Sequence, residues 1–185
     1  AELFDPADGT ITPVGATCGG AATALCEARA FHSATLLKDG RVVLVGGLTF
    51  ATGGNLVSTR SIELFSPTTN SFSASSTQLT ETGDRAYHTA SLRPDGTVLI
   101  AGGARFSNQT ATPLATADLY TPSPELVAAT STTLAVARMS HTATALKDGR
   151  ILIAGGRSGS SALASTELFD TTFSPGPSLA TARTG

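Results

Sequence analysis

Apolar and polar positions follow one another along this chain in an order that returns three times. Short apolar runs, Val42–Val45, Ile151–Ala154 and the matching run ahead of Gly102-Gly103, stand between polar, turn-rich stretches. Runs of that length with no polar face are expected of strands covered on both sides of a sheet. Ahead of each lies a segment of small residues, such as Phe31 to Leu37, which reads as a second strand. Asp39-Gly40, Asp95-Gly96 and Asp148-Gly149 divide the two. Asp-Gly between strand-like runs predicts a tight hairpin, because the turn asks for positive φ. The small strand is labelled A and the apolar one B. Downstream, Glu63-Leu64-Phe65, Asp118-Leu119-Tyr120 and Glu167-Leu168-Phe169 repeat an acid–apolar–aromatic element that also occurs at Glu2-Leu3-Phe4. It predicts strand C. A weaker strand D follows around Thr10 to Thr12, Ser71 to Ser73, Glu125 to Ala128 and Thr172 to Ser174.

The copies match almost without gaps. Arg29, Arg85, Arg138 and Arg183 each precede a strand A, and His32, His88 and His141 recur at intervals of about 50 residues. The expected fold is all-β, built from four-stranded antiparallel units in one region, 1–185. The repeats run at approximately 2–62, 63–117 and 118–166, with a partial copy at 167–185. The first residues, Ala1 to Asp5, read as the interior of a repeat.

The doubled glycine after strand B, the acid and aromatic of strand C and the arginine before strand A together resemble the kelch repeat, over essentially the whole chain. That resemblance implies a β-propeller with one repeat per blade. Ile11, Phe72, Leu126 and Phe173 stand where the family usually carries Trp on strand D. This favours the bacterial, galactose-oxidase-like branch. Three full repeats with partial ends are then expected to belong to a six- or seven-bladed ring. Its remainder would come from the same longer chain or from a second copy.

Composition narrows the function classes. Twelve basic against 14 acidic residues give a net charge of −2, with no basic cluster to attract nucleic acid. No apolar stretch approaches the roughly 18 residues that span a bilayer as a helix, so membrane insertion is not expected. Charged residues are 14%, so Ser, Thr, Asn and Gly must supply most of the polar surface. A secreted or cell-surface protein fits that usage. Cys18 and Cys26 share one long D–A segment and are expected to bridge in an oxidising compartment.

Strand alternation sends the A–B and C–D turns to one face and the longer B–C and D–A connections to the other. Binding is expected on that second face. Its candidates are Asn55, Arg60, Arg105, Phe106, Asn108, Gln109 and Arg157, a mixture suited to a glycan or a protein partner. Asn108-Gln109-Thr110 also matches an N-glycosylation acceptor. The repeated arginines are expected to serve each blade by pairing with the acid of strand C, among Glu2, Glu63, Asp118 and Glu167. A basic ring that binds an anion is the alternative. The three histidines point along different radii and are not expected to share a metal.

Tyr87-His88 is similar to the Tyr-His stretch of galactose and glyoxal oxidases, which implies copper ligation by these two residues under an oxidase reading. No further part of such a site is found, and Tyr87 fills the slot of Phe31 and Ser140. The expectation is a non-enzymatic binding or structural scaffold without a cofactor. The alternatives are the propeller part of a copper-radical oxidase and a self-assembling surface protein.

Overall fold

The computed structural model describes residues 1–16 and 25–184, and these contain strands and turns but no helix. β1 (Glu2–Phe4) and β2 (Ile11–Pro13) form a hairpin, followed by β3 (Gly15–Ala16). The first complete sheet begins with β4 (Ser33–Leu36) and β5 (Val42–Val45). The chain then makes a separate two-stranded ribbon, β6 (Leu48–Phe50) and β7 (Leu56–Ser58), and returns for β8 (Ile62–Ser66) and β9 (Ser71–Ala74). The second copy runs through β10 (Thr89–Leu92) and β11 (Val98–Ala101), the ribbon β12 (Ala104–Ser107) and β13 (Thr110–Pro113), then β14 (Ala117–Pro122) and β15 (Glu125–Ala129). The third runs through β16 (Thr142–Ala145) and β17 (Ile151–Ala154), the ribbon β18 (Arg157–Ser158) and β19 (Ser161–Ala162), then β20 (Thr166–Phe169) and β21 (Phe173–Pro175).

Each copy is thus a four-stranded antiparallel sheet in the order A-B-C-D, and β3 adds a parallel strand outside β9. Register repeats as well: Glu63 faces Leu44, Asp118 faces Ile100 and Glu167 faces Ile153. The sheets stack face to face in a β-propeller-like arrangement. Strand B is apolar throughout because it feeds two cores at once. Val98 and Ile100 join Val43, Val45, Ile62, Leu64 and Tyr120 between the first two sheets. Leu99 and Ala101 turn the other way, to Ala117, Ile151, Ile153 and Phe169. Burying each of the larger aliphatic side chains contributes about 2 kcal/mol.

The doubled glycines hold neighbouring copies together. Gly47 N–H donates to Arg85 O at 2.8 Å, Gly103 to Arg138 O at 2.8 Å and Gly156 to Arg183 O at 2.9 Å. All three have positive φ, and a Cβ on Gly103 would lie 2.6 Å from Ala86 O and 2.8 Å from His88 Cβ. No side chain fits there.

Two features depart from the expectation. Strand A starts at Ser33 rather than Phe31, because Phe31, Tyr87 and Ser140 all adopt left-handed backbone, with φ of 55°, 55° and 50°. The B–C connections are not loops but the three ribbons. Asn108 and Gln109, at φ of 48° and 62°, make the two-residue turn of the second ribbon.

Candidate functional site

The arginines of the three complete sheets are interior groups. Arg85 is fully buried. Its Nη2 donates to Asp118 Oδ2 at 2.8 Å, its Nη1 to the carbonyls of Gly102 and Thr116, and its Nε to Gly83 O. Arg138 repeats this with Glu167 at 2.9 Å and the carbonyls of Gly155 and Ser165. Arg29 does so with Glu63 at 2.5 Å and the carbonyls of Gly46 and Ser61. Burial raises the Asp118 carboxyl above the ordinary carboxylate value, with Arg85 opposing. Arg183 and Glu2 are exposed, and each lacks an ion-pair partner among the described residues.

The histidines tie one sheet to the next. His88 Nε2 shares a 2.8 Å hydrogen bond with the Ser33 hydroxyl, and His141 Nε2 a 2.9 Å bond with that of Thr89. Burial, reinforced by Arg85, holds His88 neutral well below the usual imidazole value. The same cause, reinforced by Arg138, lowers His141 to about 4. Tyr87 stacks on Phe31 at 4.3 Å between ring centroids and meets Phe106 at 5.6 Å. His88 Nε2 is thus engaged by Ser33 and Tyr87 is set between two rings, while His88 Nδ1 is buried with no hydrogen-bond partner among the described residues.

The ribbons carry the irregular chemistry. Arg105 lies on β12, where its Nε donates to Asp84 Oδ1 at 2.7 Å. Ser58 Oγ donates to Asp84 Oδ2 at 2.9 Å and accepts the Phe106 N–H at 3.0 Å. These bonds clamp the second ribbon to the first. Arg157 Nη1 caps its own ribbon turn at Gly159 O, and Asn55 sits exposed at the first ribbon's turn. Cys18 lies outside the described residues. Cys26 is not a free thiol, and its N–H donates to Glu63 Oε2 at 2.8 Å.

Beside the first ribbon opens a cavity of about 540 Å³. Its walls include Thr49 and Arg60 from the ribbon segment, Glu27, and Gln78, Glu81 and Asp84 from the connection between the first two sheets. Glu27 is engaged by the hydroxyls of Thr59 and Ser61, and Asp84 by Arg105. Arg60 is half-buried, and its guanidinium has no partner among the described residues, nor do the side chains of Gln78 and Glu81. Arg60 was among the loop candidates read from the sequence. Gln78, Glu81 and Asp84 were not, since only the stacking of sheets brings their segment to the ribbon. A free guanidinium, amide and carboxylate in one cleft form a hydrogen-bonding set for a polar, hydroxyl-rich ligand.

No family model matches the chain, and no curated protein matches it. Among solved structures the chain is similar to that of YjhT, with a TM-score of 0.73 over 95% of this chain and 12% identity. It spans 57% of that structure's length. At this identity the likeness is one of fold.

Proposed function

We propose that this chain is a kelch-type β-propeller segment that acts as a non-enzymatic, secreted or cell-surface binding scaffold and presents its ribbon face to a glycan. The observation that carries this reading is the Arg60–Gln78–Glu81 cavity. Every repeated arginine of the three complete sheets is consumed by the fold, whereas half-buried Arg60 and exposed Gln78 and Glu81 have no side-chain partner among the described residues. Bidentate donors, an amide and a carboxylate satisfy sugar hydroxyls, and the Phe31–Tyr87–Phe106 tier supplies apolar ring surface on the same face. The ring of which this segment is part has six or seven blades in this reading.

Screening the chain on a glycan array, followed by calorimetry on the selected sugars, tests the proposal. Binding that Arg60→Ala and Gln78→Ala both weaken is expected. Array silence, with capture of a protein through the same ribbons, would replace the glycan by a protein partner.

A further inference from the structure

The walls of the cavity beside the first ribbon carry one negative charge that their own cations do not balance. Asp84 is matched by Arg105, whose Nε donates to Oδ1 at 2.7 Å, and Ser58 Oγ fills Oδ2 at 2.9 Å. Arg60 and Glu81 offset one another in charge. Glu27 is different. Its nearest cation is Arg29, which lies 2.5 Å from Glu63 Oε1 but 3.6 Å from Glu27 Oε2. Glu63 is almost fully buried and needs that arginine for itself. One guanidinium therefore serves two carboxylates, and the surplus falls on Glu27, whose side chain is 32% exposed on the cavity wall. The repeat does not ask for an acid here. The matching residues, two ahead of the repeated arginine, are Gly83 and Val136, whose carbonyls accept from Arg85 Nε and Arg138 Nε. Thr59 Oγ1 and Ser61 Oγ both donate to Glu27 Oε2, which fixes the carboxylate in place, while Oε1 accepts no bond among the described residues.

We propose that the ligand of this cavity is a sugar with a free ammonium group, a deacetylated hexosamine, whose charge is met by Glu27 and whose hydroxyls are met by Arg60, Gln78 and Glu81. This rests on the glycan reading above and narrows it to one class. An ammonium is a donor with no acceptor, so it complements a carboxylate oxygen that is already oriented and still open. It also balances the surplus charge, which a neutral or acidic sugar would leave standing. The guanidinium and amide then remain for hydroxyl groups, which both donate and accept. A lysine side chain would bring the same charge on a long methylene stem. Val57 is the one aliphatic side chain in the cavity lining that could receive such a stem, so the walls suit the hydroxyl-rich cation instead.

Calorimetry on the full chain with oligomers of glucosamine, N-acetylglucosamine and glucose, equal in length and linkage, tests the assignment. The three differ only in carrying an ammonium, an acetamide or a hydroxyl beside the anomeric carbon. At mildly acidic pH, where the amine is protonated, and at low salt, the glucosamine oligomer should bind about tenfold more tightly than either of the others. Added salt should shrink that margin, as it does for any charge pair open to solvent. Glu27→Gln keeps an acceptor for Thr59 and Ser61, and it should bring the glucosamine oligomer down to the level of the other two. Arg60→Ala should weaken all three alike, because it removes a hydroxyl contact and not the contact to the amine. Urea unfolding of each variant confirms that the fold is intact. Equal binding of the three oligomers, or a margin that survives Glu27→Gln, would overturn the ammonium assignment and leave the glycan reading standing. Polylysine that displaces the glucosamine oligomer from the cavity at equal charge concentration would overturn it in favour of a cationic peptide. Failure of all three oligomers to bind would overturn it too, and only if the glycan array is also silent does the broader reading fall with it.

Discussion

Arg85 and Arg60 belong to the same stretch of chain and the same pair of sheets, yet they do opposite things. Arg85 is fully buried, and its donors go to Asp118 and to the carbonyls of Gly83, Gly102 and Thr116. Arg60 lines an open cavity with its guanidinium unengaged. The first has a counterpart in each complete sheet and the second has none. In a repeat protein a residue present in every unit must satisfy what every unit shares, which is its fold. A residue present once answers to something outside the repeat.

Removing the repeated group should break that contrast most strongly. Arg85→Ala leaves Asp118 buried without its partner and several carbonyls without donors. A loss of about 3–5 kcal/mol is expected, read by urea unfolding. Replacing both members, Arg85→Met with Asp118→Leu, should restore a large part of it, since a buried pair is costly chiefly when half of it is left behind. If Arg85→Ala were tolerated within about 0.5 kcal/mol, the structural assignment of the repeated arginines would fail.

The glycines give a matched test one step down. Gly103→Ala meets the Ala86 carbonyl and the His88 Cβ at a positive φ, and about 2–3 kcal/mol of destabilisation is expected. Gly40→Ala has a similar φ of +86° but nothing within 4 Å. It should cost about 1 kcal/mol, from backbone strain alone. Equal losses at the two sites would show that packing between copies is not what the doubled glycine serves.

Acid separates the buried frame from the open face in another way. Unfolded chains take up protons on histidine at the ordinary value of 6.5, while folded His141 resists until about 4. Stability from this group is therefore complete above about pH 6.5 and is lost as pH falls toward 4. His88 shifts in the same direction. Denaturant midpoints between pH 7 and 4 should fall, and His141→Gln should flatten the slope while keeping a group able to bond Thr89.

The repeated frame was largely legible in the chain. Asp39-Gly40 and its equivalents marked the A–B hairpins, and the apolar runs from Val42 and Ile151 marked strands covered on both faces. The ribbons were not legible. Their strands are as short as Arg157–Ser158 and Ser161–Ala162, too brief for alternation to register. Left-handed backbone at Phe31 and Tyr87 gave no local signal either, because bulky residues rarely adopt it and the surrounding bonds impose it. Phe31 O accepts the Tyr87 N–H, and Tyr87 O accepts that of Ser140. Of the candidate site, Arg60 was read as one of the long-loop candidates. Its companions Gln78 and Glu81 lie beyond two intervening strands and reach it only through the fold.

The smallest expected effect on stability is also the most discriminating. Arg60 has no side-chain bond to lose among the described residues, so Arg60→Ala should leave the unfolding free energy within about 0.5 kcal/mol of the parent. Under the proposed ribbon-face reading, ligand binding should fall in the same variant. A stability loss as large as that of Arg85→Ala would place Arg60 in the frame instead and erase the distinction between the two arginines. Unchanged stability with unchanged glycan binding would move the ligand away from this cavity, toward the Phe31–Tyr87–Phe106 tier, where Phe106→Ala is the next substitution to measure.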